Sequence, residues 1–163
     1  MLTVGDICTR SPRVTTPDAT LAQAAKVMWE GDCGMLPVID GERKVIGVIS
    51  DRDLALALAV RGAKAHEAKV KEAMGARVVS CRLDEPAGAA LSRLAKFQLR
   101  RLPVVTAGGV IEGVLSIADA IRNSGRFMGE KGQDLTGDAI IRVLQSICES
   151  PDAKKTIQIP GKR

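Results

Sequence analysis

The hydrophobic and polar positions of this chain form one pattern that occurs twice. Two apolar runs, at 35–40 and 44–50, predict a pair of strands, because a turn signal of Asp followed by Gly separates them. Runs at 101–106 and 110–116 predict a second pair, separated by two consecutive glycines. The sequence therefore predicts two β-hairpins of similar length.

The two copies are offset by 66 residues. Agreement at this one offset extends over both strands of the hairpin and over the residues that follow it, so an internal duplication is the simplest explanation. The segments that coincide are LPVI at 36–39 with LPVV at 102–105, GVIS at 47–50 with GVLS at 113–116, and Asp53 with Asp119.

Each predicted hairpin stands between two predicted helices. Apolar residues at i, i+3, i+4 and i+7 precede each hairpin and indicate an amphipathic helix. Thr20 and Gln23 have the spacing of a capping box and predict the start of the first such helix. A second helix is predicted to begin at Ser50 in the first copy and at Ser116 in the second.

A short β-prone piece opens each copy, at 13–16 and at 77–81, so the predicted order is β-α-β-β-α. A unit of about 60 residues buries too little surface to be comfortably stable alone. We therefore expect an α+β fold in which the two repeats pack as one pseudo-symmetric module, followed by a helical tail.

The predicted boundaries follow from the repeat. Residues 1–62 form the first copy, 63–71 a connector rich in Ala, Gly and charged residues, and 72–122 the second copy. Residues 123–163 form a tail in which Thr136 is predicted to cap one amphipathic helix. The apolar stripe of that helix, which needs a partner surface, consists of Ala139, Ile140, Val143, Leu144 and Ile147.

Composition narrows the classes of function. Hydrophobic residues make up 45% of the 163 residues, enough for a real core. Aromatic residues make up only 2%, which leaves few platforms on which single-stranded nucleic acid could stack. The net charge of +5 favours anionic partners such as nucleotides, without the dense basic stripe of a DNA-binding protein.

Cysteine and histidine usage argues against metal binding and against disulfides. The four cysteines are scattered without a C-x-x-C pair, and there is a single histidine. No run approaches the roughly 20 apolar residues of a membrane span, and the first residues lack a secretory leader pattern. We therefore expect a cytoplasmic protein with reduced thiols and no membrane association. Because no general base with an oriented partner is apparent, we expect no enzymatic activity.

The most informative motif is Gly-apolar-apolar-Ser-x-x-Asp at each predicted strand-to-helix junction, at 47–53 and 113–119. The Ser and Asp can simply form a capping box at the start of the helix. Alternatively, the free amides and hydroxyl at a helix start can bind phosphate, while the carboxylate accepts hydrogen bonds from ribose hydroxyls. Its duplication at the same junction favours the second interpretation.

This doubled motif, in β-α-β-β-α order, resembles a tandem pair of CBS domains, often called a Bateman module. The resemblance covers about residues 4–122. It implies a regulatory module with two pseudo-symmetric clefts for adenosine-containing ligands such as AMP, ADP, ATP or S-adenosylmethionine. It also implies that two modules commonly pair into a homodimer through their helices.

The resemblance implies a well-equipped first cleft. Ser50 and Asp53 would supply the helix start, and Val79 would lie beside the adenine. Arg100 and Arg101, directly before Leu-Pro, would face the phosphates, where a guanidinium forms charge-assisted hydrogen bonds.

The second cleft is expected to be weaker. It would use Ser116 and Asp119 with Val14, which matches the first cleft's valine only if a one-residue gap is allowed. Gly34 and Met35 stand at the positions of the arginine pair, so phosphate charge has no obvious counterpart there. We therefore expect one strong nucleotide site.

The leading prediction is a noncatalytic sensor of an adenosine-containing ligand, of the AMP, ADP or ATP class, that signals to a partner protein not identifiable from the sequence. One alternative is a ligand-free scaffold in which the tail helix completes a dimer or docks on another protein. Another is weak nucleic-acid binding through the basic tail and the arginine pair, which the scarcity of aromatic residues makes less favourable.

Overall fold

A computed structural model describes residues 1–124 and 136–148 of the chain. Predictions for the rest of the tail lie outside the described residues. The described part contains the following elements in chain order: α1 (Val4–Ile7), β1 (Thr9–Arg10), α2 (Leu21–Glu30), β2 (Met35–Ile39), β3 (Val45–Ser50), α3 (Asp51–Ala59), a 3-10 turn (Val70–Glu72), α4 (Ala87–Phe97), β4 (Arg101–Val105), β5 (Ile111–Ser116), α5 (Ile117–Ser124) and α6 (Gly137–Cys148).

Both predicted hairpins are present, and their registers match. β2 pairs antiparallel with β3, with Met35 opposite Ser50, and β4 pairs with β5, with Arg101 opposite Ser116. These pairs are 66 residues apart, so the internal offset found in the sequence is also the structural one. The hairpins belong to two sheets, one of order β2-β3 and one of order β1-β5-β4. The fold class predicted from the sequence is therefore confirmed.

The β-prone pieces at 13–16 and 77–81 do not form strands. Each contributes one parallel bridge, Thr15 to Val38 and Cys81 to Val104. To extend either bridge toward the start of its strand, the residue before Val38 or before Val104 would have to donate its amide hydrogen to the extended piece. That residue is a proline in both hairpins, Pro37 and Pro103. Because proline has no N–H, the pairing stops after one residue.

Two short segments cross between the repeats. Val4, in α1, is fully buried in the core of the second repeat, and its amide donates to the Glu85 carbonyl at 2.9 Å. Val70 is fully buried in the core of the first repeat, and its amide donates to the Ala19 carbonyl at 2.8 Å. The segment at 63–71, expected as a connector, thus ends by supplying a core residue to the first repeat. The exchange ties the two repeats together.

The tail helix α6 packs on the second repeat. Thr136 caps it, since its hydroxyl oxygen accepts a hydrogen bond from the amide of Ala139 at 3.1 Å. Ile140 and Val143 are buried in the core of the second repeat, and Leu144 and Ile147 pack against that core. The predicted apolar stripe therefore has its partner surface within the same chain. None of the helices in the described part combines the length and hydropathy needed to cross a membrane.

Candidate functional site

The start of α3 is a complete capping box. The hydroxyl oxygen of Ser50 accepts a hydrogen bond from the amide of Asp53 at 3.2 Å. In return, Asp53 Oδ2 accepts from the amide of Ser50 at 2.8 Å and from its hydroxyl at 2.6 Å. Within the part of the chain that the structure describes, no donor reaches the other carboxylate oxygen, Asp53 Oδ1. The cap therefore orients the carboxylate and leaves one of its oxygens available.

The start of α5 repeats this geometry but uses the carboxylate fully. Asp119 Oδ2 accepts from the amide and the hydroxyl of Ser116 at 2.8 and 2.6 Å. Its Oδ1 accepts a hydrogen bond from the Arg122 guanidinium, which also forms an ion pair with it. Asp119 is only 3% exposed. This copy of the motif has no oxygen left for a ligand without displacing the arginine.

A cleft of about 670 Å³ opens beside Ser50 and Asp53. This volume lies within the range of about 300–1,000 Å³ that is usual for small-molecule sites. All five residues predicted for the first cleft line it, from the helix start of one repeat and the strand entry of the other. These residues are Ser50, Asp53, Val79, Arg100 and Arg101.

The cleft has an excess of unpaired positive charge. Neither Arg100 nor Arg101 forms an ion pair with any residue in the described ranges 1–124 and 136–148. Arg52 and Arg77 line the same cleft, the latter with its guanidinium 5.4 Å from the centroid of the Phe97 ring. Four guanidinium groups around one cleft suit a ligand that carries phosphate.

Lys71 does not line this cleft and is paired elsewhere. Its Nζ donates to Asp18 Oδ1 at 2.8 Å. The charge of this lysine is therefore compensated by a carboxylate of the first repeat, and the cationic side chains that line the cleft are all guanidinium groups.

Two residues predicted for the second cleft lie elsewhere. Gly34 lines the first cleft. It directly precedes Met35, which pairs with Ser50, so it lies next to the start of α3. A Cβ built on Gly34 would stand 2.8 Å from Asp51 Oδ2 and 3.5 Å from Arg101 Nη1, so a side chain here would crowd both groups. Gly34, expected in the second cleft, therefore lies at the first.

Val14 packs in a small apolar cluster with Ile39, Val105 and Ile111. The predicted match of Val14 to Val79 is also wrong. Thr15 and Cys81 form equivalent bridges without a gap, so the residue that corresponds to Val79 is Arg13. Of the four residues expected in the second cleft, only Ser116 and Asp119 remain together, in the closed arrangement described above.

Sequence reasoning missed several residues that line the first cleft, among them Arg77 and Ile147. Arg77 stands two positions before Val79 in extended backbone, where alternate residues share a side, and this spacing was a usable signal. Ile147 comes from α6, and in the sequence it is one more member of an apolar stripe. Nothing in a helical spacing distinguishes a residue at a cleft from a residue in a core.

Two of the thiols, those of Cys8 and Cys81, are unsuited to nucleophilic chemistry. All four cysteines are free. Burial raises the pKa of the Cys81 thiol to about 12 and also raises the pKa of Cys8, so both are poor nucleophiles at neutral pH. Among the residues with described positions, no cluster of His, Cys, Asp and Glu could hold a metal ion.

Comparison with known sequences agrees with the internal repeat. The family model of the CBS domain matches the chain twice, over residues 4–60 and 70–126. An uncharacterized 17.7 kDa protein of Acidianus ambivalens is 33% identical over 119 residues, which cover 73% of this chain and 71% of that protein. A match at 26% identity covers only 22% of a longer enzyme, the L-aspartate semialdehyde sulfurtransferase of Methanocaldococcus jannaschii.

Solved structures share the fold over most of the chain. The CBS domain pair of protein MJ0100, in complex with 5′-methylthioadenosine and S-adenosyl-L-methionine, has a TM-score of 0.69 and 26% identity, and the match covers 77% of this chain and 98% of that one. CBSX2 of Arabidopsis thaliana, in complex with AMP, has a TM-score of 0.67 and 28% identity, with coverages of 77% and 98%.

Proposed function

Since the chain belongs to the CBS domain family and contains two CBS repeats, we propose that it is a regulatory module that binds an adenosine phosphate, of the AMP, ADP or ATP class, in its first cleft. The proposal rests on the position of one carboxylate beside two arginines. An oriented carboxylate with an available oxygen, on Asp53, lines the same cleft as the unpaired guanidinium groups of Arg100 and Arg101.

Each polar group has a defined task in this proposal. Asp53 Oδ1 accepts hydrogen bonds from the ribose hydroxyls, and Arg100 and Arg101 donate charge-assisted hydrogen bonds to phosphate oxygens. Ser50 acts through Asp53, because its hydroxyl is already engaged in the cap and holds the carboxylate in place. Val79 supplies apolar contact for the base.

The chemistry of the cleft favours phosphate over a cationic group. S-adenosyl-L-methionine, which is bound by the MJ0100 pair, carries a positive sulfonium, and the four arginines that line this cleft outnumber its two carboxylates, Asp51 and Asp53, so a positive group is disfavoured there. AMP, which is bound by CBSX2, carries the charge that these arginines match. We therefore expect the affinity for adenosine phosphates to exceed that for S-adenosyl-L-methionine.

Calorimetric titration with AMP, ADP, ATP and S-adenosyl-L-methionine tests the proposal. Asp53→Asn should weaken binding about 10- to 100-fold, the equivalent of the roughly 1.5–3 kcal/mol of a charged hydrogen bond. Arg101→Ala should produce a loss of similar size.

The matched controls come from the same chain. Asp119→Asn alters the equivalent carboxylate of the closed site, and Arg43→Ala removes an arginine from a hairpin turn, so both variants should bind as the wild type does. Binding that is absent in the wild type, or equal in Asp53→Asn and the wild type, would refute the first cleft as the nucleotide site.

We also propose that two copies pair through the helices of the first repeat. Trp29 of α2 is 83% exposed, the largest exposure of any large apolar side chain in the described helices. Tryptophan is enriched in protein–protein interfaces, because its large apolar ring gains contact area there. Trp29→Glu should convert a dimer to a monomer in sedimentation equilibrium, whereas a wild type that sediments as a monomer would contradict the pairing.

A further inference from the structure

The tail helix α6 meets the first cleft at its last turn. Ile147 lines the cleft, although it belongs to neither CBS repeat. Two hydrogen bonds hold this turn in place: the Ser146 hydroxyl donates to the Ala95 carbonyl at 3.3 Å, and the Gln98 side-chain amide donates to the Ser146 carbonyl at 3.3 Å. The end of α6 is therefore fixed to the residues that close α4.

The attachment point is itself part of the cleft wall. Gln98 has a left-handed backbone, with φ of 52°, and ends α4. Gln98, Leu99 and Arg100 follow one another along the cleft lining. Any shift of the last turn of α6 would therefore act on the segment that leads into the arginine pair.

Ile147 forms a wall of the cleft rather than filling it. With α6 docked, the cleft still measures about 670 Å³, which is ample for a nucleotide. Val79, Leu99 and Ile147 all pack against the core of the second repeat, so together they present an apolar side to the cleft. An adenine base has the apolar faces that such a wall suits.

We infer that α6 is a third component of the ligand site, with Ile147 contacting the bound nucleoside, so that ligand binding and docking of α6 stabilise each other. This inference rests on the proposed function. A ligand gains contact with Ile147 only when α6 is docked, and a ligand shifts an equilibrium toward the state that it binds better. By thermodynamic linkage, a change that destabilises the docked position of α6 lowers the affinity for the ligand, and ligand binding stabilises the docked position of α6.

Two measurements test this inference, each with the adenosine phosphate that binds the wild type most tightly in calorimetry. Ile147→Ala should weaken binding about tenfold, since part of a large apolar contact is removed. Ile141→Ala, on the same helix but 53% exposed, should bind as the wild type does. In the unmodified chain, the ligand should slow hydrogen–deuterium exchange of the amides in the last two turns of α6.

The exchange measurement needs no variant, so it decides the question even if Ile147→Ala folds poorly. Unchanged affinity in Ile147→Ala, or exchange in α6 that the ligand leaves unchanged or accelerates, would overturn the inference and leave the nucleotide site intact. Absence of binding to the wild type would instead refute the proposed function, and the role of α6 with it.

Discussion

The starts of α3 and α5 have the same motif and the same cap, yet within the described residues only Asp119 has both carboxylate oxygens engaged. The hydrogen bonds between Ser50 and Asp53 and those between Ser116 and Asp119 have equal lengths, 2.8, 2.6 and 3.2 Å. Asp53 is partly exposed and lines a cleft, whereas Asp119 is 3% exposed. The capping function is shared, so the motif alone does not indicate which copy can bind.

The difference arises three residues after the aspartate. Side chains three apart on a helix are neighbours. In α5 that neighbour of Asp119 is Arg122, which binds Oδ1, whereas the equivalent neighbour of Asp53 is Leu56, which cannot. A single side chain outside the motif, Arg122 in place of Leu56, therefore determines whether the second carboxylate oxygen is already hydrogen-bonded within the protein.

A second asymmetry explains where the tail helix docks. Gly88, Ser92 and Ala95 of α4 line the cleft between α4 and α6. The residues at the same positions of α2 are Ala22, Lys26 and Trp29; Lys26 is long and charged and Trp29 is bulky, so a helix cannot approach α2 as closely in the same place. The small residues of α4 thus direct α6 to the second repeat, beside the open cleft.

The largest expected effect concerns stability. Asp119→Ala removes a helix cap and a buried carboxylate that also pairs with the partly exposed Arg122, so it should lower the free energy of unfolding by about 2 kcal/mol. Asp53→Ala removes the same cap from a partly exposed site and should cost only about 1 kcal/mol. Urea unfolding of both variants measures the difference. Equal losses would mean that the pairing of Asp119 with Arg122 adds nothing to the cap.

The next effect transfers the closing arginine to the open site. Leu56→Arg places a guanidinium three residues after Asp53, where it can bind Oδ1 as Arg122 does in α5. Because Leu56 is 43% exposed, the fold should tolerate the change. Nucleotide affinity should fall about tenfold in calorimetry.

Its control is Leu58→Arg, which adds the same charge at a similarly exposed position of α3 but five residues after Asp53, away from the carboxylate. The reverse change, Arg122→Leu, should free Asp119 without creating a second site, since Gly34 and Met35 supply no guanidinium. If Leu58→Arg lowers the nucleotide affinity as much as Leu56→Arg does, the loss is caused by added positive charge and not by a contact with Asp53. If Arg122→Leu binds two nucleotides per chain, Arg122 alone prevents binding at the start of α5.

The sequence predicted the repeat, both hairpins and the cap residues because each depends on local spacing. It also predicted that Ser50, Asp53 and Arg101 would share a cleft, although this came from a family resemblance rather than from spacing. The closure of Asp119 by Arg122 was missed, because an i, i+3 pair on a helix surface is usually exposed and weak.

Other errors came from long-range contacts. The extended pieces at 13–16 and 77–81 read as strands, but the prolines that limit them to one bridge lie in a different strand. The crossing of Val4 and Val70 between the repeats has no local signature, since a buried valine looks the same whichever core it enters. These features are fixed by tertiary packing, which a periodicity cannot show.

The smallest expected effect compares two acidic residues at matching positions of the repeats. A hydrogen bond from Lys71 lowers the pKa of Asp18, and one from Arg82 lowers the pKa of Asp84. A carboxyl whose pKa is lower in the folded state stabilises the fold above its unfolded pKa, and this contribution is lost as the pH falls through the lowered value. Both pairs are exposed, so the effects should be small and should weaken in salt.

The two pairs nevertheless differ in what they join. Asp18 and Lys71 are 53 residues apart and link the first repeat to the segment that crosses into its core, whereas Arg82 and Asp84 are only two residues apart. A pair so close in sequence can persist in the unfolded chain and then cancels from the stability difference. Asp18→Asn should therefore reduce the change in unfolding midpoint between pH 7 and pH 3 more than Asp84→Asn does. The opposite order would mean that the crossing segment is held by its buried valine and backbone hydrogen bonds alone.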